Sequence, residues 1–230
     1  MIRAIFFDVD GTLIDFHASA KIAMMRAFEK NGLSFRDEMF DAFTTINRSF
    51  WAAMERREIT IDDLHRDRWN RIFAELGISF DGQLFERDFL RGLDDAAVPI
   101  DGAAEMLASL SAHFPLYVAS NADRAQQLHR LEIAGMLPFF KAVFTSGEFG
   151  AMKPSPAFFD GCFAALPDLR PCDTVMVGDS LTADIAGGAA YGMKTCWCKL
   201  REQDVPPELR IDWTVRSLSE IPSLFLPEET

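Results

Sequence analysis

The chain has 230 residues, 49% of them hydrophobic and 25% charged, which is enough apolar material for a sizeable core. Its formal net charge of −12 argues against a nucleic-acid polymer or an anionic membrane as partner. A small anion is admissible only where local cations or a metal offset that field.

The first apolar run, residues 2–7, predicts a buried strand and is too short for a secretory leader. It ends in Asp8-Val9-Asp10-Gly11-Thr12. Residues from about 16 to 97 read as helical. Ala18, Ile22, Met25 and Phe28 fit one face, Phe40, Phe43, Asn47, Phe50 and Met54 a second, and Trp69, Ile72, Phe73 and Leu76 a third. Gly77 and Asp81-Gly82 supply breaks. Beyond this stretch, short apolar runs at 116–119, 142–144, 174–177 and 195–197, with a weaker one at 213–215, alternate with helical patterns. Those patterns cover 103–110, 124–134, 156–166 and 183–191, and Ser155-Pro156 reads as an N-cap with proline in the first turn.

Alternation of this kind predicts an α/β fold with a doubly wound parallel sheet. The long helical stretch predicts an all-helical domain inserted after the first strand. The expected division is a core of residues 1–15 and 98–230 and an insert of residues 16–97. No run approaches a membrane span, and Cys162, Cys172, Cys196 and Cys198 show no zinc-type spacing. A cytoplasmic protein with reduced thiols, monomeric or homodimeric, is the expectation.

In an open parallel sheet, ligands bind beyond the carboxyl ends of the strands. Those ends would deliver Asp8 and Asp10, then Ser120-Asn121, then a loop reaching Lys153-Pro154, then Gly178-Asp179-Ser180 with Asp184 in the next turn. The inventory suits phosphoryl transfer. Asp8 and Asp179 can hold a hard divalent cation such as Mg2+, and Asp8 can attack phosphorus. Asp10, two residues on, can act as acid and then base, while Lys153 with the Ser120 and Asn121 donors positions the phosphoryl oxygens. Asp184 is placed to orient Lys153 or the waters of a metal.

Asp8-x-Asp10-Gly-Thr-Leu, Ser120-Asn121, Lys153-Pro154 and Gly178-Asp179-x4-Asp184, in this order, resemble the four motifs of the haloacid dehalogenase (HAD) superfamily. The resemblance implies a Rossmann-like core, Mg2+ held by Asp8, Asp179 and the backbone carbonyl of Asp10, and an aspartyl-phosphate on Asp8. An insert just after the first motif is similar to the helical C1 cap of this superfamily. The stretches "INRSFWAAMERREIT", "GGAAYGMKTCW" and "DWTVRSLSEI" further resemble the housecleaning pyrimidine 5'-nucleotidases. That resemblance implies a pyrimidine nucleoside 5'-monophosphate as substrate. Within the fold the alternatives are a phosphoglycolate or sugar-phosphate phosphatase or a phosphomutase. A 2-haloacid dehalogenase is disfavoured because those relatives lack the second aspartate that Asp10 provides, and the intact acid set argues against a silent phosphate-binding module.

Several residues carry a plainer reading beside the functional one. Ser120-Asn121 could cap a helix, and Asp184 could be a first-turn acid favoured by the helix dipole. Asn47 either reads the amide edge of a base or satisfies a group inside the cap, with the second favoured. Trp51 and Phe16 are pocket candidates, although aromatic residues in a helical bundle are usually core. His17, His65, His113 and His129 fit no metal-ligand pattern.

Overall fold

The computed structural model of the chain describes residues 1–201 and 203–226. Six strands form one parallel sheet: β1 (Ala4–Phe7), β2 (Leu116–Ser120), β3 (Phe140–Thr145), β4 (Thr174–Gly178), β5 (Lys194–Cys198) and β6 (Trp213–Val215). Strands β1, β2 and β4 are buried along their whole length, which is why their sequences are continuously apolar instead of alternating. The spatial order is β3-β2-β1-β4-β5-β6. Chain order therefore reverses between β1 and β4, the place where an open sheet leaves a crevice at its carboxyl edge. Register brings the polar residues there together. Phe7 pairs with Val118 on one side and Val177 on the other, so Asp8, Ser120 and Gly178 follow at nearly the same height.

The chain divides into two compact units, Met1–Asp15 with Val98–Thr230, and Phe16–Ala97. Leaving and returning segments are tied together inside the first unit, where Asp15 N–H donates to the Val98 carbonyl (2.8 Å) and Ile100 N–H to that of Leu13 (2.9 Å).

The second unit holds four helices: α1 (Phe16–Lys30), α2 (Asp37–Glu55), α3 (Ile61–Leu76) and α4 (Gly82–Asp94). Helix α3 is bounded as its sequence dictates. Thr60 and Asp63 form a reciprocal capping box at its start, and Gly77 closes it in the left-handed conformation. Phe28, Phe43, Trp69, Phe73, Phe85 and Phe89 fill the interior, many edge to face, as ring quadrupoles prefer. The expected apolar faces of α2 and α3 point inward. That of α1 does so only in part: Phe28 is buried but Met25 is 50% exposed, and the buried face is Ala20, Ala23, Met24, Ala27 and Phe28. Small residues are used there because α4 comes very close, a Cβ at Gly92 lying 3.1 Å from the Ala23 Cα. Alanines carry little hydrophobic signal, so the larger side chains Ile22 and Met25 misdirect the reading.

A charged network runs through this aromatic core. The Arg68 guanidinium donates twice to Glu86 (2.5 and 3.2 Å) and once to the Asn47 Oδ1 (2.7 Å), and it lies over the Phe89 ring. His65 Nδ1 is 2.7 Å from the same Glu86 carboxylate. Asn47 thus interrupts the stripe on α2 in order to receive a buried arginine. Arg68→Met should leave Glu86 buried without its guanidinium partner and cost about 3–5 kcal/mol. Urea denaturation against the parent protein measures this, and a loss below about 1 kcal/mol would contradict the network's role.

Candidate active site

The carboxyl edge of the sheet in the first unit assembles the predicted residues around one ammonium group. Lys153 is 1% exposed. Its Nζ donates to Asp8 Oδ1 (2.8 Å), Asp184 Oδ1 (2.6 Å) and the Ala119 carbonyl (2.6 Å). Three acceptors for three protons satisfy it completely. Its backbone is held as well. Asn121 Nδ2 donates to the Lys153 carbonyl (2.9 Å), and Asn121 Oδ1 accepts from the Lys153 N–H (2.8 Å). The Asn121 side chain thereby fixes the lysine loop, a task that the motif alone does not reveal.

Ser120-Asn121 is not the cap of the following helix α5 (Arg124–Ile133). That cap is Asp123, whose side chain accepts from Gln126 N–H (3.1 Å). Ser120 is buried, and its Oγ accepts from Ala122 N–H (3.1 Å) and Gln127 Nε2 (2.9 Å). With both lone pairs taken, its hydroxyl proton remains for donation. Likewise Ser155 stands at the N-cap of the helix Pro156–Ala164, yet its side chain makes no cap hydrogen bond.

Asp179 leaves the end of β4 beside Asp8. Its carbonyl accepts from Trp197 Nε1 (3.0 Å), and its Oδ1 lies 3.4 Å from the Thr12 hydroxyl. Two glycines make this closeness sterically feasible. Gly11 has φ +93°, and a Cβ there would sit 2.6 Å from Asp179 Oδ2; a Cβ at Gly178 would collide with the Asp184 carboxylate. The glycine behind the Asp-x-Asp pair is thus required twice, for backbone conformation and for space. Asp184 lies within Leu181–Ala186, which winds as a π-helix before regular helix resumes at Gly187–Tyr191, where an uninterrupted helix over 183–191 was expected. The departure accompanies the engagement of both Asp184 oxygens, Oδ1 by Lys153 and Oδ2 by Ser180 N–H (3.1 Å). Such π segments are frequent at functional sites.

Among the described residues, Asp8, Asp179 and Asp184 are the group whose ligand atoms lie within 4.8 Å of one another, as a shared cation requires. Three carboxylates there face one ammonium. Burial pushes Asp8 well above the ordinary carboxylate range; Lys153 pulls it down, while Asp184 and Asp179 raise it further. Burial, reinforced by Asp184 against the pull of Lys153, pushes Asp179 up to about 7. Burial weighs against the Lys153 charge too, but Asp184 and Asp8 outweigh it and hold the ammonium above its usual range. The pocket is short of positive charge, and hard carboxylate oxygens are what Mg2+ accepts.

Asp10 stands apart from this cluster and has partners the motif reading did not anticipate. Gln127 Nε2 donates to its Oδ2 (2.5 Å) and Arg130 to its Oδ1 (2.5 Å). In the sequence these two look like any polar face of a helix, and Arg130 like a last-turn base favoured by the dipole. Their burial is the signal, and it exists only after folding. Phe16 packs at the edge of the aromatic core of the second unit and Trp51 is half-buried there. All four cysteines are free, and burial pushes Cys162 and Cys196 up to about 12. No described helix is long and apolar enough to cross a membrane.

A parallel sheet of this order, flanked by helices, is a Rossmann-like fold, and the acid–lysine cluster lies at its switch point. The model of the haloacid dehalogenase-like hydrolases matches residues 2–192, and the chain belongs to that family. It is similar to the HAD-hydrolase YfnB of Bacillus subtilis, 34% identical over 99% of this chain and 97% of the relative. A crystal structure of YfnB bound to magnesium superimposes with a TM-score of 0.93 at 33% identity, covering 98% and 99% of the two chains. The pyrimidine 5'-nucleotidase PynA of Streptococcus pneumoniae is 31% identical over 85% of this chain and 83% of its own length.

Charge shortage gives a pH signature. A group whose folded value is raised favours the fold below its unfolded value, and that contribution is lost as pH rises through the folded value. For Asp179 the window runs from 3.8 to about 7. In EDTA, thermal stability should decline across that window, and added Mg2+ should raise Tm more at pH 8 than at pH 5. Scanning calorimetry at both pH values checks this; an equal Mg2+ effect at both would contradict it.

Proposed function

We propose that this chain is a Mg2+-dependent phosphatase that hydrolyses a pyrimidine nucleoside 5'-monophosphate through an aspartyl-phosphate on Asp8. The observation that carries the reading is the Lys153 ammonium bridging Asp8 and Asp184, with Asp179 in ligand distance of both. Asp8, Asp179 and the Asp10 carbonyl would hold the metal, which supplies charge compensation for the nucleophile and the phosphoryl oxygens.

The remaining steps belong to the chain's own side chains. Lys153, holding Asp8 Oδ1, fixes the carboxylate and keeps an anion beside an approaching anion tolerable. Asp8 attacks phosphorus and the ester P–O bond breaks. Asp10 gives its proton to the departing sugar oxygen, which leaves as a neutral alcohol. The same carboxylate then takes a proton from water as that water attacks the aspartyl-phosphate. Inorganic phosphate departs and Asp8 is regenerated. Ser120, with its proton free to donate, holds a phosphoryl oxygen, and Asp184 keeps Lys153 in place. The substrate's nucleoside part is taken from similarity to PynA. A reducing, cytoplasmic setting fits the free thiols.

Asp8→Asn should abolish turnover of p-nitrophenyl phosphate, a loss of at least about a thousand-fold. A mutant within about ten-fold of the parent would rule out the covalent mechanism. EDTA should silence the enzyme and Mg2+ restore it. In a panel of nucleoside monophosphates, phosphoglycolate and sugar phosphates, kcat/KM should be highest for UMP or dTMP. Equal values for purine and pyrimidine nucleotides would remove the pyrimidine assignment, and a sugar phosphate at the head of the panel would replace it.

A further inference from the structure

The geometry points to Gln127 and Arg130 as positioning residues that aim Asp10, an inference that rests on the acid/base reading of Asp10 above. Both lie on α5, three residues apart and hence on one face, and both are fully buried. Each takes a different oxygen of the same carboxylate, Gln127 Nε2 on Oδ2 and Arg130 on Oδ1, both at 2.5 Å. The Asp10 side chain is 25% exposed. A carboxylate with that access to water has no need of a buried guanidinium for its own solvation, and burying the guanidinium is costly. Packing alone therefore gives a weak account of Arg130.

Positioning accounts for it better. Asp10 must act at one place twice, first toward the departing oxygen and then toward the attacking water. A side chain following Val9 at a strand end has free χ angles unless something holds it. Two donors on two oxygens stop rotation about both, while each oxygen keeps a second lone pair for the reaction. Gln127 uses its other N–H on the Ser120 Oγ (2.9 Å), so one helix face sets the spacing between the proton carrier and a phosphoryl donor. Misplacement by about an ångström is enough to lose much of a catalytic group's effect.

A double-mutant cycle on the best-turned-over alkyl phosphate of that panel, whose leaving oxygen must be protonated, separates positioning from scaffolding. Arg130→Met should lower kcat by about ten- to a hundred-fold with KM changed by no more than about two-fold. In an Asp10→Asn background the same substitution should cost less than about two-fold, because the group it aims is already gone. Arg130→Lys should recover part of the loss. Equal losses in both backgrounds, or a wild-type kcat in Arg130→Met, would overturn the inference. If Arg130→Met does not fold, Gln127→Met goes through the same cycle under the same criteria. A near-normal rate for Asp10→Asn alone would instead sink the acid/base reading itself, so the two failures are distinguishable.

Discussion

Everything at this site depends on burying one lysine ammonium among acceptors that come from distant parts of the chain. Lys153 touches the end of β1 through Asp8, the end of β2 through the Ala119 carbonyl and the segment after β4 through Asp184. A buried cation is tolerable only when paired and fully hydrogen-bonded, so the ammonium constrains three strand ends at once. Asn121 extends the constraint to the lysine's own backbone. The same ammonium still leaves the cluster with surplus negative charge. A surplus of that kind is what a bound hard dication would offset.

Drawing carboxylates this close has a steric side as well as an electrostatic one. Gly11 and Gly178 stand where any Cβ would strike Asp179 or Asp184. The π-helical turn at Leu181–Ala186 carries an Asp184 whose two oxygens serve two donors on different segments. The regular fold yields locally so that the charged groups meet. Trp197 contributes from β5 by holding the Asp179 carbonyl, so even the neighbouring strand is tied to the acid cluster.

The helical unit follows a different logic. Its interior is aromatic, and a buried ion pair there, Arg68 with Glu86, is lined by rings and closed by Asn47 and His65. Polar residues that look like ligand readers in a sequence are here partners of one another. A buried network of this kind specifies how four amphipathic helices pack, which apolar contacts alone do loosely.

From the residues alone, the parallel sheet, the helical insertion after β1 and the core acids were legible. Continuous apolar runs mark doubly covered strands, and ligand chemistry in such a sheet collects at strand ends. Local patterns could reveal those features because each is written in consecutive residues. The partners of Asp10 lie 117 and 120 positions away, and no local pattern marks Gln127 and Arg130 as buried. The tasks of Asn121 and Asn47, the inward face of α1 and the π turn were likewise decided by close approach between segments. The sequence alone determined which chemistry is available; only the tertiary structure decided which groups hold the others in place, because holding depends on distances that a linear chain does not contain.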